Sequence, residues 1–305
     1  MEAGVGADAV ARTGRQSKVA LIVETMRPKQ WTKNVFVLAG LVFSGEALEV
    51  SSQVDAWTVA AAFCLVSGAT YLMNDAADAE SDRMNPRTAG RPIARGDLSP
   101  GAARAAAVSA ALGAFGLAAL VNWESVAVLA GFLALQLAYS NGLKHVLMLD
   151  VMIIAGGFVL RALAGLVAID TLISEWLLLC TGLLALFIGL AKRRAEAVAL
   201  GGSKHPQRPV LEEYSVTLLD ELIAVITPAI LVVYALYAVI GAQAGSIMLI
   251  TLPFVLYGIF RVLYLIHHQG GAEEPDLLVW RDRPLLICIV LWGATSGVIG
   301  AVAVA

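Results

Sequence analysis

Nine consecutive residues, Asn74-Asp75-Ala76-Ala77-Asp78-Ala79-Glu80-Ser81-Asp82, carry the densest chemistry in the chain. They follow Val54–Met73, which has no charge after Asp55, and they precede a run of spaced arginines. If the helix continues through them at about 100° per residue, Asp75, Asp78 and Asp82 share an arc of about 60°. Asn74 then lies just beside that arc and Glu80 points the other way. Three carboxylates and an amide on one face suit Mg²⁺, which usually shares its coordination shell with substrate phosphates. The competing reading is a solvated acidic loop after a membrane helix. The spacing and the arginines weigh against that.

Those arginines stand in Asp82-Arg83-Met84-Asn85-Pro86-Arg87-Thr88-Ala89-Gly90-Arg91-Pro92-Ile93. Beside an acidic, metal-binding face, guanidinium groups supply the bidentate donors that a diphosphate needs. Arg87 and Arg91 are read in this way, whereas Arg95 and Arg104 read as ordinary charge on a cytoplasmic loop. Further along, Asp150 and Arg161 are eleven residues apart. In a helix they share a face to within about 20°, separated by about 16 Å along the axis. Gly157 lies between them and leaves room for a substrate. Arg161 is too deep in its apolar run to reach water easily, which makes it a candidate site residue, or else a partner for a helix-end carbonyl or buried acid. Arg261, near a helix end, is expected to snorkel.

The elements that must position these groups are membrane helices. The 305 residues are 59% hydrophobic, with a mean hydropathy of +0.78. That is too apolar for a soluble protein of this length and indicates an all-α polytopic membrane protein. Spans are expected near 30–48, 54–73, 101–121, 125–143, 147–169, 175–191, 218–240, 245–266 and 285–305, nine in all. Residues 1–18 form a Gly/Ala/Arg-rich tail, expected to be disordered and not a signal peptide. Ser17–Met26 reads as a short surface helix, and 19–305 as a single transmembrane domain. The loops near 45–54, 121–125, 170–175 and 240–245 contain no lysine or arginine. Nearly all of the 21 lysines and arginines fall in the N-terminal segment and the other loops. Those segments are therefore expected in the cytoplasm, with the C-terminus outside the cell membrane. Cys64, Cys180 and Cys288 lie in apolar runs and read as unpaired. His145, His205, His267 and His268 read as loop residues. Nothing in the charge pattern points to nucleic acid, and a homo-oligomer is compatible with it.

Asn74–Asp82 fits NDxxDxxxD and so resembles the first aspartate-rich motif of the UbiA superfamily of intramembrane prenyltransferases. The similarity continues through Arg91-Pro92-Ile93, Tyr139-Ser140-Asn141-Gly142-Leu143-Lys144, and Asp150, Gly156-Gly157 and Arg161. It implies nine helices around a central cavity, a cytoplasmic polar cap and Mg²⁺-assisted departure of diphosphate. One departure matters. Where aromatic prenyltransferases of the superfamily carry a second acidic motif, this chain reads Ala191-Lys192-Arg193-Arg194-Ala195-Glu196. A cationic site suits a phosphate better than a second metal. Together with Arg27–Asn34, Glu212-Glu213-Tyr214 and Trp280-Arg281-Asp282-Arg283, it resembles the branch that acts on decaprenyl phosphate. An alternative for Lys192 and Glu196 is a surface i, i+4 pair.

That resemblance implies transfer of 5-phosphoribose from phosphoribosyl diphosphate to a polyprenyl phosphate, supplying a lipid-linked pentose donor for cell-wall polysaccharide. The implied metal ligands are Asp75, Asp78 and Asp82. The implied substrate-binding set is Lys33, Asn34, Asn74, Arg87, Arg91, Tyr139, Lys144, Asp150, Arg161, Lys192, Arg193, Glu196 and Tyr214. Two rivals remain: a prenyl-diphosphate enzyme with an aromatic acceptor, and a transporter or channel. The basic second motif opposes the first, and short outer loops oppose the second.

Overall fold

The structure is a computed structural model that describes residues 17–44, 46–86, 88–200, 210–242, 245–268 and 281–304. Among them every regular element is helical. Of the expected tail 1–18, residues 1–16 lie outside the described residues. Ser17 and Lys18 are not part of a tail, because the Ser17 hydroxyl accepts from the Ala20 amide (3.2 Å) and so caps α1, Lys18–Thr25.

Contacts divide the chain into two compact units, Met1–Thr32 with Ala61–Leu117, and Lys33–Ala60 with Ala118–Ala305. The first unit contains α1, most of α3 (Val50–Ala77), α4 (Ala79–Met84) and most of α5 (Pro100–Val121). Its core is built from small and aliphatic side chains, among them Leu21, Ala69, Leu72, Ala76, Ile93, Leu98 and Ala103. Ile93 and Leu98 belong to the turn-rich connection between α4 and α5, so that connection is fixed by burial. The second unit contains α2 (Ala39–Phe43), α6 (Trp123–Ser140), α7 (Leu149–Ala168), α8 (Glu175–Leu200), α9 (Val210–Glu213), α10 (Val216–Leu236), α11 (Leu252–His268) and α12 (Arg283–Val304). One core of this unit joins α7, α8, α9, α10 and α11 through Val151, Phe187, Leu190, Leu211, Leu219, Ile223 and Ile266.

Among the described residues eight helices are long and apolar enough to cross a bilayer. They correspond to eight of the nine expected spans. The sixth of the nine, expected at 175–191, continues to Leu200 and carries Lys192–Glu196 on its last turns. The remaining expectation, 30–48, is not one helix. Pro28–Leu38 winds as a 3₁₀ helix, followed by α2 and a further 3₁₀ turn at Glu46–Leu48. The cause is close backbone packing against α7. A Cβ placed on Gly165 would overlap the Val37 carbonyl, and one placed on Gly40 would lie 2.8 Å from the Gly165 backbone. Only glycine permits that approach, and the narrower winding of the segment fits the contact.

Two further expectations are corrected here. His267 and His268 are not loop residues but the last turn of α11, while His205 lies outside the described residues. Arg261 does not simply snorkel. It grips Asp282 with two nitrogens, Nε to Oδ1 at 3.1 Å and Nη2 to Oδ2 at 2.8 Å. The same carboxylate accepts from the Leu285 amide (2.9 Å) at the start of α12. A guanidinium held by an acid in this way has no need to reach for water. Cys64, Cys180 and Cys288 form no disulfide with one another, in line with their expected reading.

Candidate active site

In the first unit the acidic motif and two arginines form one centre. The helix does not run through the motif as expected. It stops at Ala77, Asp78 takes φ −89° and ψ 6°, and α4 begins at Ala79. In a straight helix, residues 75 and 82 would stand about 10.5 Å apart along the axis. With the interruption, one nitrogen of Arg91 reaches both: Nη1 lies 3.2 Å from Asp75 Oδ1 and 2.7 Å from Asp82 Oδ2. Both aspartates are only 3% exposed, whereas Asp78 and Glu80 face outward. The expected three-carboxylate face is therefore a buried pair, with Asp78 outside it.

Arg27 completes the centre. Its Nη2 lies 2.6 Å from Asp75 Oδ1, and its guanidinium stands 4.7 Å from the centre of the Tyr71 ring, one turn earlier on α3. Arg27 precedes Pro28, which excludes ordinary helical backbone at the preceding residue; it adopts φ 55°. That conformation is costly for a residue with a Cβ, and the ion pair with a buried carboxylate holds it. Arg91 is fixed from the other side. The Asp97 and Leu98 amides both donate to the Pro92 carbonyl, Arg83 Nε donates to the Ala94 carbonyl (2.9 Å), and the Thr88 hydroxyl donates to the Asp82 carbonyl (3.2 Å).

In the second unit, α7 and α8 share a buried ionic network. Arg193 donates from Nε to Asp150 Oδ2 (2.7 Å) and from Nη1 to Glu196 Oε2 (2.5 Å). Tyr214 donates its phenol proton to Asp150 Oδ1 (2.7 Å) and accepts from the Met148 amide (3.0 Å). Burial, reinforced by the bond to Asp150, pushes the Tyr214 phenol above its usual range, so it stays a proton donor. Arg161 lies elsewhere on α7, 7% exposed. It donates to Asn34 Oδ1 (2.8 Å) and to the Gly157 carbonyl (2.9 Å), and stands 4.6 Å from the centre of the Phe132 ring. A Cβ on Gly157 would come within 3.4 Å of the arginine's own Nη1 and 3.6 Å of Phe132. The room expected there for a substrate is filled by Arg161 and Phe132.

Residues 34–281 match the model of the UbiA prenyltransferase family. The chain belongs to that family. It is 33% identical to the decaprenyl-phosphate phosphoribosyltransferase of Mycolicibacterium smegmatis over 292 residues, 92% of each chain. It is 34% identical to the decaprenyl-phosphate phosphoribosyltransferase of Mycobacterium tuberculosis strain H37Rv over 288 residues, 92% of this chain and 94% of the other. The fold matches that of a UbiA homolog from Archaeoglobus fulgidus solved with DMAPP and Mg²⁺ bound, at a TM-score of 0.70 and 16% identity. That match covers 92% of this chain and 99% of the other. With eight helices of membrane-spanning length and membership of the UbiA family, this is a multi-pass membrane enzyme.

The remaining family-pattern residues fall as follows. Asn74, Tyr139, Lys144, Lys192 and Lys33 are half-buried, and Arg87 lies outside the described residues. Asp150, Arg193, Glu196 and Tyr214 meet in one network, and Asn34 meets Arg161. Glu196 pairs with Arg193 at i−3 through a partly buried contact. Arg27 was missed as a site residue; its signal was the Arg-Pro step, which forces a turn just before the family match begins. Met148 was missed too, because positive φ at a non-glycine residue leaves no mark in sequence. A polar cleft of about 360 Å³, lined by Ser51, Asp55, Asn122, Glu124 and Asp170, contains none of these residues. Among the described residues no three acidic, histidine or cysteine side chains are grouped to hold a metal. The buried oxygens of Asp75 and Asp82, each within 3.2 Å of one nitrogen, still make a hard-oxygen pair of the kind that suits Mg²⁺.

Proposed function

We propose that this UbiA-family enzyme transfers 5-phosphoribose from phosphoribosyl diphosphate to a polyprenyl phosphate, forming a phosphodiester and releasing diphosphate. The observation that carries the reading is similarity along nine-tenths of the chain to proteins of that activity. The second motif supports it. At the place of a second acidic motif, α8 presents Lys192 and Arg194 around a buried, doubly neutralised Arg193. That arrangement does not offer a second carboxylate pair for metal.

Asp75 and Asp82 would hold Mg²⁺, with Asp78 available at the surface of the same motif. Bound there, the metal would neutralise charge growing on the departing diphosphate. Arg91 and Arg27 hold the two buried carboxylates in place and present guanidinium donors to the same anion. The bond from the anomeric carbon to diphosphate breaks while an oxygen of the lipid phosphate bonds to that carbon. A phosphate dianion is already nucleophilic, so the chain need supply no base. Its work is positioning and electrostatic complementarity. By the distribution of lysine and arginine, the acidic motif and the α8 terminus face the cytoplasm.

The test is mass spectrometry of lipids formed by purified protein from phosphoribosyl diphosphate and decaprenyl phosphate. The expected product is a decaprenyl phosphoribosyl phosphate. Turnover of geranyl diphosphate with an aromatic acid, and none of phosphoribosyl diphosphate, would sink the reading and favour the prenyl-transfer alternative.

A further inference from the structure

The connection between α6 and α7 follows Tyr139 near the end of α6, carries Lys144 and leads into α7, whose first turn holds Asp150. Two of its residues have positive φ: Gly142 at 154° and Met148 at 68°. For glycine this is unremarkable. Met148, with ψ −40°, sits near the γ-turn region that is rare and strained for a residue with a side chain. It is also the N-cap of α7 and has no side-chain cap. Its amide is instead taken by Tyr214 at 3.0 Å, and Tyr214 is itself oriented by Asp150 at 2.7 Å. Asp150 is in turn oriented by Arg193. Tyr214 is 4% exposed and anchored by its neighbours: Val210 and Leu211 are buried in the core, and the Ser215 hydroxyl caps α10. A strained backbone persists only where its surroundings over-determine it.

We propose that Tyr214 is a positioning residue. Through the Met148 amide it locks the strained turn that starts α7, and so sets the place of Lys144, one of the residues the family pattern implies for substrate binding. This deepens the phosphoribosyl-transfer reading, on which its kinetic arm rests, and revises the expectation that Tyr214 itself contacts substrate. Both bonding capacities of the Tyr214 hydroxyl are used within the protein, one donated and one accepted.

The physical signature is rescue by glycine. For a residue without Cβ, φ 68° and ψ −40° mirror an ordinary low-energy turn. Met148→Gly should therefore need no tyrosine to hold it. The experiment uses full-length protein in detergent, in four forms: wild type, Tyr214→Phe, Met148→Gly and the double variant. Hydrogen exchange of the peptide covering 142–149 should speed up about tenfold in Tyr214→Phe, as expected for one lost backbone contact. It should return close to wild type in the double variant. Tyr214→Phe should raise KM about tenfold for the same substrate whose KM Lys144→Ala raises, with kcat little changed. Met148→Gly should restore it.

Unchanged exchange in Tyr214→Phe overturns the proposal. So does a KM defect that survives Met148→Gly although exchange is restored, since Tyr214 would then touch substrate directly. If Tyr214→Phe fails to fold, the double variant must fold for the proposal to stand. If wild type transfers no phosphoribose, the functional reading falls while the exchange arm still judges the lock.

Discussion

Arg193 on α8 lies 2.7 Å from Asp150 on α7, and both side chains are almost completely buried, at 3% and 0% exposure. Such a pair is costly to bury and more costly to break, because removing one partner strands the other. Arg193→Ala takes the guanidinium away from Asp150, which keeps Tyr214, and removes one donor from Glu196. A loss of about 3–5 kcal/mol is expected, seen as a large fall in the melting temperature in detergent. Replacing Asp150 and Arg193 together by apolar residues of similar volume should cost much less than either single change. Equal losses in the single and double variants would show that the charges are not what the site depends on.

The acidic motif makes a different prediction, one of activity. Asp82→Asn keeps the shape and removes the charge facing Arg91. Turnover should fall at least about a hundredfold, the usual scale for losing a preorganised electrostatic contact. Glu80→Gln faces outward and should stay within a few-fold of wild type. Asp78→Asn separates the straight-helix reading from the observed one. If Asp78 is a full metal ligand it should match Asp82→Asn; if its exposure marks a lesser role it should fall between. Titration with EDTA and back-titration with Mg²⁺ checks the metal, and activity undisturbed by chelation would remove it.

Asp282 joins α11 to α12 and caps the latter. Its hydrogen bond with Arg261 holds its carboxyl below the ordinary value of 3.8. A lowered folded pKa means the stabilisation is complete above the unfolded value and fades as pH falls through the folded one. Wild type should therefore lose this stability only in acid below about pH 4, while Asp282→Asn should lack that part of the acid dependence. At neutral pH the variant should keep the helix cap, since the asparagine Oδ1 accepts from the Leu285 amide as well as aspartate does, and should lose only the charged grip of Arg261. Melting curves from pH 3 to pH 7 test both statements.

Much of this was legible before the fold. The eight long helices follow from apolar runs, and Asn74–Asp82 from residue type and spacing. What could not be read was pairing across long sequence separations. Lys192–Glu196 reads as a cationic phosphate site until Asp150, on another helix, turns Arg193 inward. Arg161 and Gly157 looked like the walls of a substrate space until the guanidinium was seen to fill it with Phe132. The bend at Asp78 has the same origin. Local propensity favours continued helix, but Arg91, on a connection pinned by Ile93 and Leu98, reaches both Asp75 and Asp82. Residues 30–48 were misjudged because hydropathy does not register that Gly40 and Gly165 let two backbones touch.

Lys192 and Arg193 are adjacent in sequence, and their loss should be felt differently. Arg193 is spent on Asp150 and Glu196, so its loss should appear as instability. Lys192 is half-buried on the same turn of α8, and the basic motif it belongs to makes it the residue on which to test phosphate binding. Losing a charge-assisted hydrogen bond to phosphate costs about 1.5–3 kcal/mol, which is one to two decades in kcat/KM. Lys192→Ala should show that loss at a melting temperature close to wild type. Lys192→Arg should recover part of it, since the charge is kept while the donor geometry changes. The reverse pattern, with Lys192→Ala unstable yet normal in kcat/KM once folded, would make Lys192 structural and leave the phosphate to Lys144 and Arg91.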